Sequence, residues 1–152
     1  MKNINIGILA HVDAGKTTLT EQLLFCAGAI RQAGDVNTGT ARTDYLQVER
    51  ERGISVRSSA VSFSYGGMQI NIIDTPGHAD FAAEVERSLA VLDAAILIVS
   101  AVEGIQPRTE LLIDALIATK TAMMVVINKT DRQGSNVSRV LQELRDRWGI
   151  RP

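Results

Sequence analysis

Three short apolar runs punctuate the chain, and each ends in a polar turn: Ile4–Ala10, Ala94–Ser100 and Ala122–Asn128. Ala94–Ser100 and Ala122–Asn128 are continuous, which suits parallel strands covered on both faces by helices. Arg57–Tyr65 alternates instead, and Gly66-Gly67 reads as a hairpin turn into Met68–Ile73, so these two strands are predicted to be antiparallel. Leu19, Leu23, Ala27 and Ile30 recur at helical spacing after the first run. Ala79–Leu92, Arg108–Lys120 and Ser135–Trp148 supply three more predicted helices. In the last of these Val137, Val140, Leu141, Leu144 and Trp148 share one apolar face, Gly149 is a stop, and Pro152 prevents continuation. Ile30–Ser55 is polar, has no clean period and is too long for an ordinary connection, which marks it as a functional or mobile loop. The expected fold is therefore α/β: a mostly parallel sheet with helices on both faces and one antiparallel edge strand. In such a sheet ligands sit at the carboxyl ends of the strands.

The chemistry-bearing residues fall at those ends. The first apolar run leads into Ala10-His11-Val12-Asp13-Ala14-Gly15-Lys16-Thr17-Thr18, a phosphate-binding loop between a strand and a helix, with Ala10 where the motif usually begins on glycine. Backbone N–H groups of such a loop and of the helix start can surround a β-phosphate. Lys16 would reach the β- and γ-phosphates and the Thr17 hydroxyl would bind Mg²⁺. Asp74-Thr75-Pro76-Gly77-His78 follows the Met68–Ile73 strand, where Gly77 has the small side chain and free N–H needed to meet a γ-phosphate. Asn128-Lys129-Thr130-Asp131 ends the third apolar run. An ionised Asp131 can accept two hydrogen bonds from guanine N1–H and the 2-amino group, a pair that adenine does not offer. Glu51-Arg52-Gly53-Ile54-Ser55 lies between the first two motifs.

This order of motifs resembles the GTPase domain of translation factors, and the Asp13 loop with the Asp74–His78 motif points to the elongation factor G group. Gly39-Thr40-Ala41-Arg42-Thr43-Asp44 and the Ile127–Gly134 stretch look most like the ribosome-protection proteins that confer tetracycline resistance. The resemblance implies a P-loop GTPase domain that binds GTP or GDP with Mg²⁺, in a cytoplasmic, ribosome-associated factor. It places Asp74 on Mg²⁺ through water, has His78 position the attacking water, lays Lys129 along the base and ties the loops together through Asn128. Ser55 stands where the group has threonine; it keeps the hydroxyl Mg²⁺ needs but lacks the methyl that restricts the rotamer. For Asp13 two readings stand: holding a monovalent cation beside the phosphates, or local loop hydrogen bonding. Arg42, Arg50, Arg52 and Arg57 either meet ribosomal RNA, together with His78 and the Ile30–Ser55 segment, or form a solvated face offset by Glu49 and Glu51. His11 is expected to pack or bond within its loop.

At 152 residues the chain is long enough for one domain, so residues 1–152 read as a single GTP-binding domain. A formal net charge of -1 offers no global positive field to hold nucleic acid, so ribosome contact must rest on local patches or further segments. The single Cys26 reads as a reduced, packed residue. Met1–Asn5 runs directly into the first strand without a secretory leader, and Asp93 interrupts the longest apolar run, so no membrane span is expected. The family fold continues past Asp131 with another strand, a Ser-Ala loop that touches guanine, a helix and later domains, which lie beyond Pro152. The Ala122–Asn128 strand should then expose one edge and invite self-association. The rival readings are an elongation factor G-type translocase fragment, a non-catalytic nucleotide-binding module, and an ATPase, against which Asp131 argues.

Overall fold

The computed structural model describes residues 2–30, 59–74 and 89–151. Five strands form one sheet: β1 (Lys2–Ala10), β2 (Ser59–Tyr65), β3 (Met68–Asp74), β4 (Ala94–Ser100) and β5 (Ala122–Asn128). Three helices accompany them: α1 (Lys16–Cys26), α2 (Pro107–Ala118) and α3 (Val137–Trp148). The strand order is β2-β3-β1-β4-β5. β1 runs parallel to β3 and to β4, and β4 parallel to β5, while β2 is antiparallel to β3 across the Gly66-Gly67 turn. The predicted architecture is the observed one. The Ile30–Ser55 segment and most of the predicted Ala79–Leu92 helix lie outside the described residues.

Strand alternation divides the core in two, because successive side chains leave opposite faces of a sheet. Leu9, Ala95, Leu97 and Val99 point to the side of α2 and α3, where they meet Leu112, Ile113, Leu116, Val140 and Leu144. Ile8, Ala10, Ile72 and Ile98 point to the other side, with Leu19 and Leu23 of α1 packed against them. Leu97 at 0% exposure is fully enclosed, so truncation to alanine costs about 2–5 kcal/mol. At Gly7 of β1 a Cβ would come within 2.3 Å of the end of the Leu92 side chain, which would have to shift to admit it.

Three details differ from the sequence reading. α1 ends at Cys26, so Ile30 lies beyond it, and its buried face carries Lys16, Thr17, Thr20, Glu21 and Leu24 rather than a purely apolar stripe. The reason is position: the first turn of α1 meets the polar end of the sheet, and the Thr20 hydroxyl turns back to donate to the Lys16 carbonyl at 3.0 Å. Cys26 is exposed at the last turn, not packed. Val137 also stands outside the core, because Asn136 caps α3 by accepting from the Arg139 N–H at 2.9 Å and places Val137 at the exposed first position.

Candidate nucleotide-binding site

The carboxyl ends of β1, β3, β4 and β5 all open on one side of the sheet, as their parallel pairing requires. β1 ends at Ala10 and the chain then makes a tight loop to Lys16. Two residues of that loop hold left-handed backbone, Asp13 at φ 63 and Gly15 at φ 94. Alternating handedness turns successive N–H groups toward a common point, the geometry of an anion nest. Glycine is favoured at the second position for two reasons. Its φ is unfavourable for any residue with a Cβ, and a Cβ there would come within 2.2 Å of Asn128 Nδ2. No cap side chain closes the start of α1, and its first turn holds no acidic residue. A helix start left open in this way suits the oxygens of a phosphate. Lys16 and Thr17 occupy that turn and are mostly buried. The backbone donor set, one ammonium and one hydroxyl therefore fit a nucleotide phosphate with its Mg²⁺, which itself takes few protein ligands.

Asp74 is the last residue of β3, and its backbone lies beside Ile8, near the start of the loop. Ser55, Thr75, Pro76, Gly77 and His78 lie outside the described residues.

Asn128, last in β5, reaches across to the loop and donates from Nδ2 to the Ala14 carbonyl at 2.8 Å. This single bond joins two motifs 114 residues apart. Lys129 follows with left-handed backbone at φ 58. Its ammonium donates to Glu103 Oε1 at 3.1 Å. Asp131 projects into solvent, its side chain 81% exposed, with Arg132 Nε at 3.9 Å. Ser135 Oγ donates to the Thr130 carbonyl at 2.9 Å and closes this turn.

Two further groups lie beside these loops, His11 from the first motif and Glu103, which no motif announced. His11 is buried, and its Nδ1 lies 3.4 Å from Thr109 Oγ1 in the first turn of α2. The expected bond within the loop is present only on the backbone, where the His11 carbonyl accepts from the Ala14 N–H at 3.3 Å; the side chain leaves the loop. Burial pushes its pKa below the ordinary histidine value; Glu103 and Asp13 oppose this and the Lys129 charge adds to it. Glu103 sits in the turn after β4 and accepts from Ser100 Oγ through its other oxygen. Partial burial raises its pKa, but the Lys129 hydrogen bond, its own backbone and the charges of Lys129 and His11 together hold it below the ordinary range. An acidic residue before Gly104 at a strand end was the available signal for Glu103.

A glycine-turned loop between a strand and a helix, locked to a second loop at the same sheet end, defines the P-loop nucleotide-binding class. Within that class, residues 1–149 match the family model described as the elongation factor Tu GTP binding domain, and the chain belongs to that family. It is 54% identical over 145 residues to tetracycline resistance protein TetO of Streptococcus pneumoniae, covering 95% of this chain and 23% of that protein. It is 52% identical over 147 residues to the oxytetracycline resistance protein of Streptomyces rimosus, covering 97% of this chain and 22% of that protein. A crystal structure of a protein from Thermus thermophilus superposes with a TM-score of 0.87 at 34% identity, over 94% of this chain and 22% of the other. The chain thus spans between a fifth and a quarter of the length of these relatives. Among the described residues no helix is long and apolar enough to cross a membrane.

Proposed function

We propose that this chain is the G domain of a ribosome-associated translation factor of the tetracycline-resistance type, binding GTP and GDP with Mg²⁺ and hydrolysing GTP by in-line attack of water. The observation that carries it is the 2.8 Å bond from Asn128 to Ala14, which brings the phosphate loop and the base-reading loop to one end of the sheet. Identities of 52–54% to resistance proteins support that branch.

In this reading residues Ala10 to Thr18 wrap the phosphates, with Lys16 against the β- and γ-phosphates. Mg²⁺, when bound, neutralises charge on the transferring phosphoryl group. Thr17, Ser55 and Asp74 are its proposed protein partners. Thr75, Pro76 and Gly77 meet the γ-phosphate end, and His78 orients the water. Asp13 serves a monovalent cation or its own loop. Asn128, Lys129, Thr130 and Asp131 receive the base, and Asp131 selects guanine. In the whole factor, His78 and the Ile30–Ser55 segment approach ribosomal RNA, and the factor dislodges tetracycline from the ribosome.

Titration of this chain with GDP and ADP in the presence of Mg²⁺ tests the binding step. Strong preference for GDP is expected, and equal affinities would remove the guanine assignment. Phosphate release from GTP, measured with and without ribosomes in the full-length factor, tests the catalytic step. No release under either condition would leave a non-catalytic nucleotide-binding module.

A further inference from the structure

The base-reading loop must keep its shape although its central residue is unfavourable there. Lys129 holds φ 58, a left-handed conformation that disfavours a side chain bearing a Cβ. Among the described residues the loop's own bonds are few: the Arg132 N–H donates to the Lys129 carbonyl at 3.2 Å, and Ser135 Oγ to the Thr130 carbonyl. Something outside the loop must hold Lys129, and Glu103 is placed to do so.

Glu103 is itself anchored from several directions. The Gly104 N–H donates to the Ser100 carbonyl at 2.9 Å, and the Glu103 carboxylate accepts from Ser100 Oγ. Arg139 Nη2 of α3 donates to the Val102 carbonyl at 2.9 Å. The same turn is tied to the base-reading strand, since the Ala101 N–H donates to the Asn128 carbonyl at 2.8 Å. The Lys129 ammonium meets this fixed carboxylate at 3.1 Å, with the two side chains 25% and 39% exposed.

We propose that Glu103 is a positioning residue for guanine recognition: its carboxylate grips the Lys129 ammonium and so pre-shapes the Asn128–Asp131 loop before the base arrives. The proposal rests on the guanine-nucleotide reading above but makes a claim of its own about the loop. Pre-shaping removes part of the ordering cost that binding would otherwise carry. Because the pair is partly exposed, its effect is modest, about two- to fivefold.

The test is Glu103→Gln, which keeps the shape and removes the charge, made with and without Lys129→Met. Exchange of the Arg132 amide, bonded to the Lys129 carbonyl, reports the loop without nucleotide, and the Val140 amide in α3 is the control. Glu103→Gln should speed Arg132 exchange about two- to fivefold, leave Val140 unchanged and weaken GDP by a similar factor. In the Lys129→Met background the same substitution should do nothing further. An unchanged Arg132 rate overturns the proposal. So does an equal effect in both backgrounds, which would mean that Glu103 acts only through its own turn. In the unmodified chain, raising salt from about 0.1 to about 1 M should also speed Arg132 exchange, because screening weakens the pair; no salt response counts against the grip. Failure of the unmodified chain to bind GDP would defeat the nucleotide reading alone, since the exchange comparison is made without nucleotide.

Discussion

Gly15→Ala gives a sharp test of how the two loops are joined. The added Cβ would sit 2.2 Å from Asn128 Nδ2, far inside contact distance. The amide is the end of a flexible side chain, so it gives way and its bond to the Ala14 carbonyl is lost. A typical bond of this kind contributes about 1 kcal/mol net. The left-handed backbone at φ 94 costs alanine roughly 1–2 kcal/mol more than glycine. Together the substitution should destabilise the domain by about 2–3 kcal/mol. In a background carrying Asn128→Ala the bond is already absent, and only the backbone cost of roughly 1–2 kcal/mol should remain. The difference, about 1 kcal/mol, is the coupling between the loops, and a double-mutant cycle measures it directly. Urea denaturation of the four proteins at constant m-value supplies the numbers. If Gly15→Ala costs the same in both backgrounds, the amide does not couple the loops and the argument from this contact fails.

Three other outcomes follow from the site and its sheet. Asp131→Asn exchanges an acceptor pair for one acceptor and one donor, so GDP affinity should fall about tenfold or more; retention of the wild-type GDP preference over ADP would mean that another group reads the base. His11 has a folded pKa below its unfolded value, so the unfolded chain binds the extra proton first: stability is complete above about pH 6.5 and declines as pH falls toward the folded pKa. Denaturation from about pH 7.5 to about pH 5.5 should show this slope and His11→Gln should flatten it, whereas the Glu103 carboxylate titrates in a lower window. β5 pairs on one side with β4 and has no further partner among the described strands, so sedimentation equilibrium should detect self-association through it at high concentration; a monomer throughout would exclude this edge as a contact.

Elements whose burial is uniform were legible from pattern alone. β4 is enclosed nearly along its whole length, and its unbroken apolar run announced that. The β2–β3 hairpin was legible because two glycines at a turn have one common use between alternating runs. α1 was not, because hydrophobic spacing assumes that a buried face is apolar. Thr20 and Glu21 are both fully buried there, and their polarity hid the true face. Leu19 and Leu23, which the spacing selected, are only partly buried neighbours of the core. In the site, the Ala10–Thr18 and Asn128–Asp131 loops could be placed from sequence because the residues of each are adjacent in the chain. His11 to Thr109 spans 98 residues and Lys129 to Glu103 spans 26, and neither distance leaves a local pattern. Such contacts follow only from the strand order, which sets the turns after β1, β4 and β5 side by side.

That strand order also separates affinity from choice. In the loop between β1 and α1 Lys16 is 7% exposed and Thr17 9%, and in the proposed reading the phosphates meet Lys16 and backbone N–H donors whose directions are set by Asp13 and Gly15. Backbone donors cannot distinguish one base from another, so this end should hold any nucleoside diphosphate equally, and its substitutions should disturb folding as well as binding. At the base end Asp131 stands in solvent with no core contact to lose. Its substitution should alter base preference at nearly constant stability. Asn128 is the hinge of this division, because its side chain bonds across from one end to the other. Asn128→Ala should therefore weaken GDP and ADP by similar factors while leaving their ratio intact. If the ratio collapses instead, Asn128 acts on base choice as well and the two ends are not independent.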